Sequence, residues 1–384
     1  MQLFEAMIKK RRLKIFRMAV PAGLFCALTG AAFAAPMTES PLTEQSADMG
    51  VPVSTQTAVG LVNRANKLYN RGQFSKAIIL YRKAKGRGAD LGTVSFNIGN
   101  CLYRLSRLPE AAAAFKKTER LTEGKYAPAI FNLAAVLFRL EQYGECIAAY
   151  RRALRLDPEN GGAWLYLADA YSRSRDYVGT LQALEKARAL EPDDFSIVYQ
   201  MAETHAAMKE YPAAIALVRE AYERKPSEVD FLFYIGDLYR AQGMLEPAAA
   251  AYQEGLVFRE KDHEAMYKLA DVLAQDKKVF LAMEYLQAAI DLKPDYTDAS
   301  VFLGILAFDA KWWDRAGSAY LQALKFGNKE GLEGLRNLAF EYHRQGHHQR
   351  AAEILNAALA YRPKDKALRA EMEEYQALQK STGM

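Results

Sequence analysis

Apolar and polar residues alternate differently in three stretches of the chain. From 18 to 34 the apolar residues run together as MAVPAGLFCALTGAAFA. From 35 to 57, APMTESPLTEQSADMGVPVSTQT, they are scattered among Pro, Ser and Thr with no period, the pattern of a flexible linker. From residue 58 onward they fall at helical spacing. The clearest case is WLYLADAY at 164–171, where Trp164, Leu167, Ala168 and Tyr171 stand at i, i+3, i+4 and i+7 and so share one helix face. A turn at 173–176 follows. A second helix then carries Tyr177, Thr180, Leu184 and Ala187, and Pro192 closes the segment.

The same pair of helices recurs every 34 residues. The eighth position of successive units is Ala65, Gly99, Ala134, Ala168, Ala202, Gly236, Ala270, Gly304 and Ala339. A small slot in the second helix reads Ala77, Ala111, Cys146, Thr180, Ala214, Ala248, Ala282, Ala316 and Ala351. A later one reads Ala84, Thr118, Ala153, Ala187, Ala221, Gly255, Ala289, Ala323 and Ala358. Between them recurs a bulkier residue, from Tyr81 and Phe115 through Tyr252 to Leu355. Helices that cross closely need small side chains at the crossing and bulky ones beside it. Pro158, Pro192, Pro226, Pro294 and Pro363 end five of the nine units, because proline lacks the N–H that would continue the helix. Two single-residue shifts are needed to keep the frame, near Lys125 and in FGNKEGLEG.

This pattern resembles the tetratricopeptide repeat, W-x2-L-G-x2-Y…A-x3-F…P over 34 residues. The resemblance implies an all-α, right-handed superhelical solenoid of about nine helix-turn-helix repeats. They would occupy 58–91, 92–125, 127–160, 161–194, 195–228, 229–262, 263–296, 297–330 and 332–365. Each hairpin has an apolar face that only a neighbour can bury, so the units form one stack. Residues 366–384 supply a cap and tail: Leu368, Met372, Tyr375 and Leu378 share one face of a helix over 366–380, with charges opposite.

Charge adds a targeting segment. The formal net charge is +5. Lys9, Lys10, Arg11, Arg12, Lys14 and Arg17 against Glu5 carry that excess, ahead of the apolar run and a small-x-small Ala32-Phe33-Ala34. This is the plan of a secretory signal peptide over 1–34, with cleavage before Ala35 and a periplasmic destination. An inner-membrane anchor over 18–34 is the alternative, although the run is short and contains Pro21. Without the segment the chain is near neutral, so its alkaline pI is no sign of nucleic-acid binding. Cys101 and Cys146 would remain, an even pair that an oxidising compartment allows to bridge. Cys146, however, fills one of the small buried slots.

No enzyme signature is present: no GxSxG, P-loop, HExxH or paired CxxC. YHRQGHHQR at 342–350 gathers three histidines across a helix–turn–helix junction with no cysteine nearby, and no metal or cofactor is expected. What remains is a surface. The resemblance implies that the first helix of each repeat lines a concave groove, with slots two, five, nine and twelve facing a partner. Those slots give Asn66 and Asn100 in the first repeats, beside Asn63, Asn97 and Asn132, with Arg104, Arg139 and Arg173 one slot beyond the twelfth. The middle repeats give an acidic ladder, Asp169, Glu203, Asp237 and Asp271, with Tyr199, Phe233 and Tyr267 at the fifth slot. The eighth repeat gives an apolar patch, Val301, Ile305 and Phe308, continued by Phe340. The expected function is a non-enzymatic adaptor of the bacterial cell envelope that holds a protein or peptide segment in this groove. The alternative is an assembly subunit of a membrane-associated envelope complex that uses its convex face or ends.

Overall fold

The computed structural model describes residues 57–382, so the basic and apolar N-terminal segment and all but the last residue of the linker lie outside the described residues. Within them the protein is all helical, with nineteen helices in consecutive antiparallel pairs. Two compact units divide between Leu217 and Val218.

The first unit holds α1 (Ala58–Asn70), α2 (Phe74–Lys85), α3 (Leu91–Arg104), α4 (Leu108–Leu121), α5 (Ala127–Arg139), α6 (Tyr143–Leu156), α7 (Gly161–Arg173), α8 (Tyr177–Leu190) and α9 (Phe195–Ala207). The boundary falls inside α10 (Tyr211–Arg224). The second unit continues with α11 (Asp230–Gln242), α12 (Leu245–Phe258), α13 (His263–Gln275), α14 (Val279–Leu292), α15 (Thr297–Asp309), α16 (Trp313–Lys325), α17 (Lys329–Arg344), α18 (His348–Leu359) and α19 (Lys366–Thr382). Odd-numbered helices through α17 are the first members of the hairpins and even-numbered ones the second; α19 packs on α18.

Capping residues begin many of the odd helices. Asp90, Asn160, Asp262 and Asn328 each accept a backbone N–H of the following turn at 2.6–3.1 Å, which satisfies donors the helix itself cannot pair. Pro158, Pro192, Pro226 and Pro294 each stand two residues beyond the end of an even helix, pushing the residue before them out of helical geometry.

The small slots mark contacts between the helices of a hairpin. A Cβ on Gly99 would lie 2.6 Å from the Phe115 ring, one on Gly236 2.8 Å from Tyr252, and one on Gly304 2.5 Å from Tyr320. These rings are fully buried, and burying each is worth about 2–3 kcal/mol. The frame shift in FGNKEGLEG has a packing cause. Helix α17 is 16 residues long against 13 for α15, and its added turn carries Gly331 and Gly334, which lie against the Tyr320 backbone and ring. The shift near Lys125 is taken up by two consecutive residues at positive φ, Glu123 and Gly124.

One feature has no counterpart in the composition pattern. The turn inside every hairpin places its residue at the unit's fifteenth position in the left-handed region. Gly72, Gly243 and Gly346 meet that demand without strain. Ser106, Glu141, Arg175, Lys209, Lys277 and Lys311 adopt it at φ 57–63°.

Cys101 and Cys146 are both free and fully buried. Burial pushes both thiols up to about 12, the behaviour of small inert core residues.

Candidate interaction surface

The residues expected to form an apolar patch in the groove are largely core. Val301 is fully buried and Ile305 nearly so. Phe308 is half-buried against the same core, and only Phe340 stands out, 56% exposed. The reason is that α15 has no polar face: every residue from Ala299 to Ala307 is buried, and α17 packs on it as well as α16. The expectation of an exposed patch at Val301 and Ile305 is therefore corrected. Phe233 is corrected in the same way; its buried ring lies against Gly255, with the Arg259 guanidinium 5.3 Å from its centre. Tyr267 is half-buried, packed on Tyr296 and Phe302, and Tyr199 is half-buried too.

The acidic and amide positions follow a bonding rule across hairpins. A ninth-slot side chain meets the sixth slot of the next hairpin and the twelfth slot of the previous one. Asn132 Nδ2 donates to Asn100 Oδ1 at 2.9 Å, with both residues buried. Lys268 Nζ lies 2.7 Å from Asp237, and Arg240 Nη1 lies 3.0 Å from Asp271. The tyrosine in the bulky slot of the second helix adds a further donor: Tyr81 OH bonds Asn66 Oδ1 at 2.5 Å and Tyr252 OH bonds Asp237 at 2.6 Å. Asp271 is buried; burial pushes its carboxyl up against the pull of Arg240. In the second unit the acids are thus tied into α11 and α13, and Asn100 is an internal bridge. None of these side chains forms an open row.

In the first unit the acids differ. Asp169 has Arg173 at 3.4 Å on its own helix, and burial raises its carboxyl nonetheless. Glu203 has no ion pair or hydrogen bond among the described residues; Ser172 holds the preceding twelfth slot, where α11 has Arg240. Burial alone pushes the Glu203 carboxyl up to about 7.

Arginines at the ends of the odd helices are among the exposed groups of the first unit. Arg104 lies 5.9 Å above the Phe74 ring, Arg139 5.1 Å above Tyr103 and Arg173 5.9 Å above Phe138. Each ring belongs to the preceding hairpin. A guanidinium over a ring gains about 0.5–1 kcal/mol at an exposed site. Sequence reading had placed these arginines but not the rings beneath them.

Trp313 packs edge-on against Tyr342 at 5.0 Å, as a core residue would, while Trp312 is 43% exposed beside Phe280. His343 and His348 share a hydrogen bond, Nδ1 to Nδ1, at 2.9 Å, and Tyr375 of α19 stacks on His343 at 4.9 Å. No group of three or more metal-ligating side chains occurs among the described residues, and none of the described helices is long and apolar enough to cross a membrane.

Tetratricopeptide repeat models match residues 127–160 and, in a second form, residues 62–126, 199–262 and 248–297, together just over half the chain. The chain belongs to the tetratricopeptide repeat family. Solved structures align with the chain at low identity. Residues 41 to the end of MamA from Desulfovibrio magneticus RS-1 align at 18% identity over 44% of this chain and 96% of that one, with TM-score 0.41. A tetratricopeptide repeat protein from Parabacteroides merdae aligns at 15% over 65% and 99%, with TM-score 0.43. YrrB, described as a tetratricopeptide repeat protein with an unusual peptide-binding site, aligns at 22% over 52% and 99%, with TM-score 0.37. No curated protein matches. The fold is that of a protein–protein interaction scaffold.

Proposed function

We propose that the chain is a non-enzymatic adaptor of a bacterial cell envelope, exported by residues 1–34, and that it holds an acidic segment of a partner protein along the odd helices of residues 57–217. The observation that carries the reading is the repeated arginine-on-ring arrangement at Arg104, Arg139 and Arg173. Guanidinium groups fixed on rings lose little freedom on meeting a carboxylate, and their planar fork suits one. Export is supported by the order of six cations, apolar run and small-x-small site.

Two experiments test the two halves. Residues 1–40 fused to an alkaline phosphatase that is active only after export should give activity; an inactive, well-expressed fusion sinks the envelope assignment. The full chain and its Arg104→Glu, Arg139→Glu double variant, cross-linked in an envelope extract, should differ by a lost partner. Identical partner sets would remove the arginines from the function.

A further inference from the structure

A second surface lies on the opposite members of the hairpins. Between α4 and α6 runs a cleft of about 500 Å³. Its floor is Leu133 and Leu137 of α5, and its walls include the methyl groups of Ala113 and Ala148. Those alanines leave the space open, because neither α4 nor α6 carries a larger side chain there. Lys116 and Arg120 stand on one rim and Arg152 on the other.

The charges of this face do not balance. Helices α2, α4 and α6 carry ten Lys and Arg against three Glu. Two ion pairs span the cleft, Lys116–Glu145 at 2.9 Å and Arg152–Glu119 at 3.0 Å. Both are partly solvated, so each is weak and exchanges readily for another carboxylate. Arg120 has no acid partner among the described residues. Lys117 beside it faces Lys85 of α2, whose like charge, with that of Arg120, lowers the Lys117 ammonium below its usual range.

We infer that this cleft is a docking site for a segment of a partner protein in which an apolar side chain is flanked by aspartate or glutamate. The apolar side chain fills the space over Leu133 and Leu137. The flanking carboxylates meet Arg120 and Lys116 on the rim. Charge complementarity selects an acidic partner, and the leucine floor selects a protein. A nucleic-acid backbone would set phosphates over apolar carbon and against Glu119 and Glu145, and a flat membrane surface would not enter the cleft. The site is independent of the arginines of the odd helices.

The test is selection of random 12-residue displayed peptides on the full chain at 50 mM and 300 mM salt. Retained peptides should carry an apolar residue between acids. Their binding, read by fluorescence anisotropy, should weaken at least tenfold in Arg120→Glu and in Ala148→Trp, which fills the cleft from an exposed position. It should weaken at 300 mM salt and be unchanged in Arg104→Glu, Arg139→Glu. Matching circular dichroism melts for the variants exclude unfolding. Retained peptides without acidic enrichment, or binding that survives both Arg120→Glu and Ala148→Trp, would overturn the site. So would retention of a 20-nucleotide single strand or of phosphatidylglycerol vesicles, abolished by Arg120→Glu, with no such peptide retained.

Discussion

The effect of replacing Glu203 by Gln on stability should depend on pH. In the folded protein burial holds this carboxyl near 7, against 4.5 for the free side chain. The folded state therefore keeps its proton over a range in which the unfolded chain has released it. The associated stability is complete below about pH 4.5, falls as pH rises and is lost above about 7. A difference of 2.5 units corresponds to about 3 kcal/mol, an upper bound because part of the side chain reaches water. Gln keeps the shape and cannot ionise. Urea denaturation of both proteins at pH 5 and pH 8 gives the difference of differences, in which every other carboxylate cancels. The wild type should lose about 1–3 kcal/mol relative to Glu203→Gln between these two values. Hydrogen exchange of peptides covering 195–207 would place the effect on α9. Curves that stay parallel within about 0.5 kcal/mol, the usual scatter of additive surface changes, would refute the assignment of Glu203 as a desolvated acid without a partner.

Three further outcomes follow from the packing. Gly304→Ala forces a methyl into the Tyr320 ring and should cost about 1–3 kcal/mol in a thermal melt, with much of the loss recovered by Tyr320→Leu in the double variant. Arg240→Ala leaves Asp271 buried without its ion partner and should cost about 3–5 kcal/mol, whereas Arg240→Met with Asp271→Leu should fall well short of that; equal losses would mean that the pair is not buried as described. In a Cys26→Ser background, Cys101 and Cys146 should react with a thiol reagent only at the rate of unfolding, since burial holds both up to about 12; rapid modification of either at pH 8 would contradict their placement.

The helix pairs were legible in the sequence because close crossings tolerate only small residues. Gly99, Gly236 and Gly304 announce crossings that the Phe115, Tyr252 and Tyr320 rings complete. The surface was less legible. A groove slot is defined within one hairpin, but its neighbours come from the hairpins on either side. Asp237 and Asp271 look like open acids until Lys268 and Arg240, each 31 residues away, are seen to reach them. Ile305 looks like an exposed apolar residue until the longer α17 is laid beside α15. The arginines were found and their aromatic supports were missed, because the supports come from two different slots of the preceding hairpin, the twelfth for Tyr103 and Phe138 and the seventeenth for Phe74. The cleft between α4 and α6 had no sequence signal, because two exposed alanines are unremarkable until the helices flank a floor of leucine.

The fifteenth residue of each hairpin holds one further consequence. Its backbone is left-handed whether it is Gly, Ser, Glu, Arg or Lys, so the flanking helices impose the turn and the residue does not choose it. The side chain there is released from any duty to the fold. Each hairpin thus offers the chain one position, at a fixed place in the frame, where charge and size can drift under selection for recognition alone. The lysines at 209, 277 and 311 and the acid at 141 occupy those places now, and exchanging them would recode the surface while leaving the architecture beneath it intact.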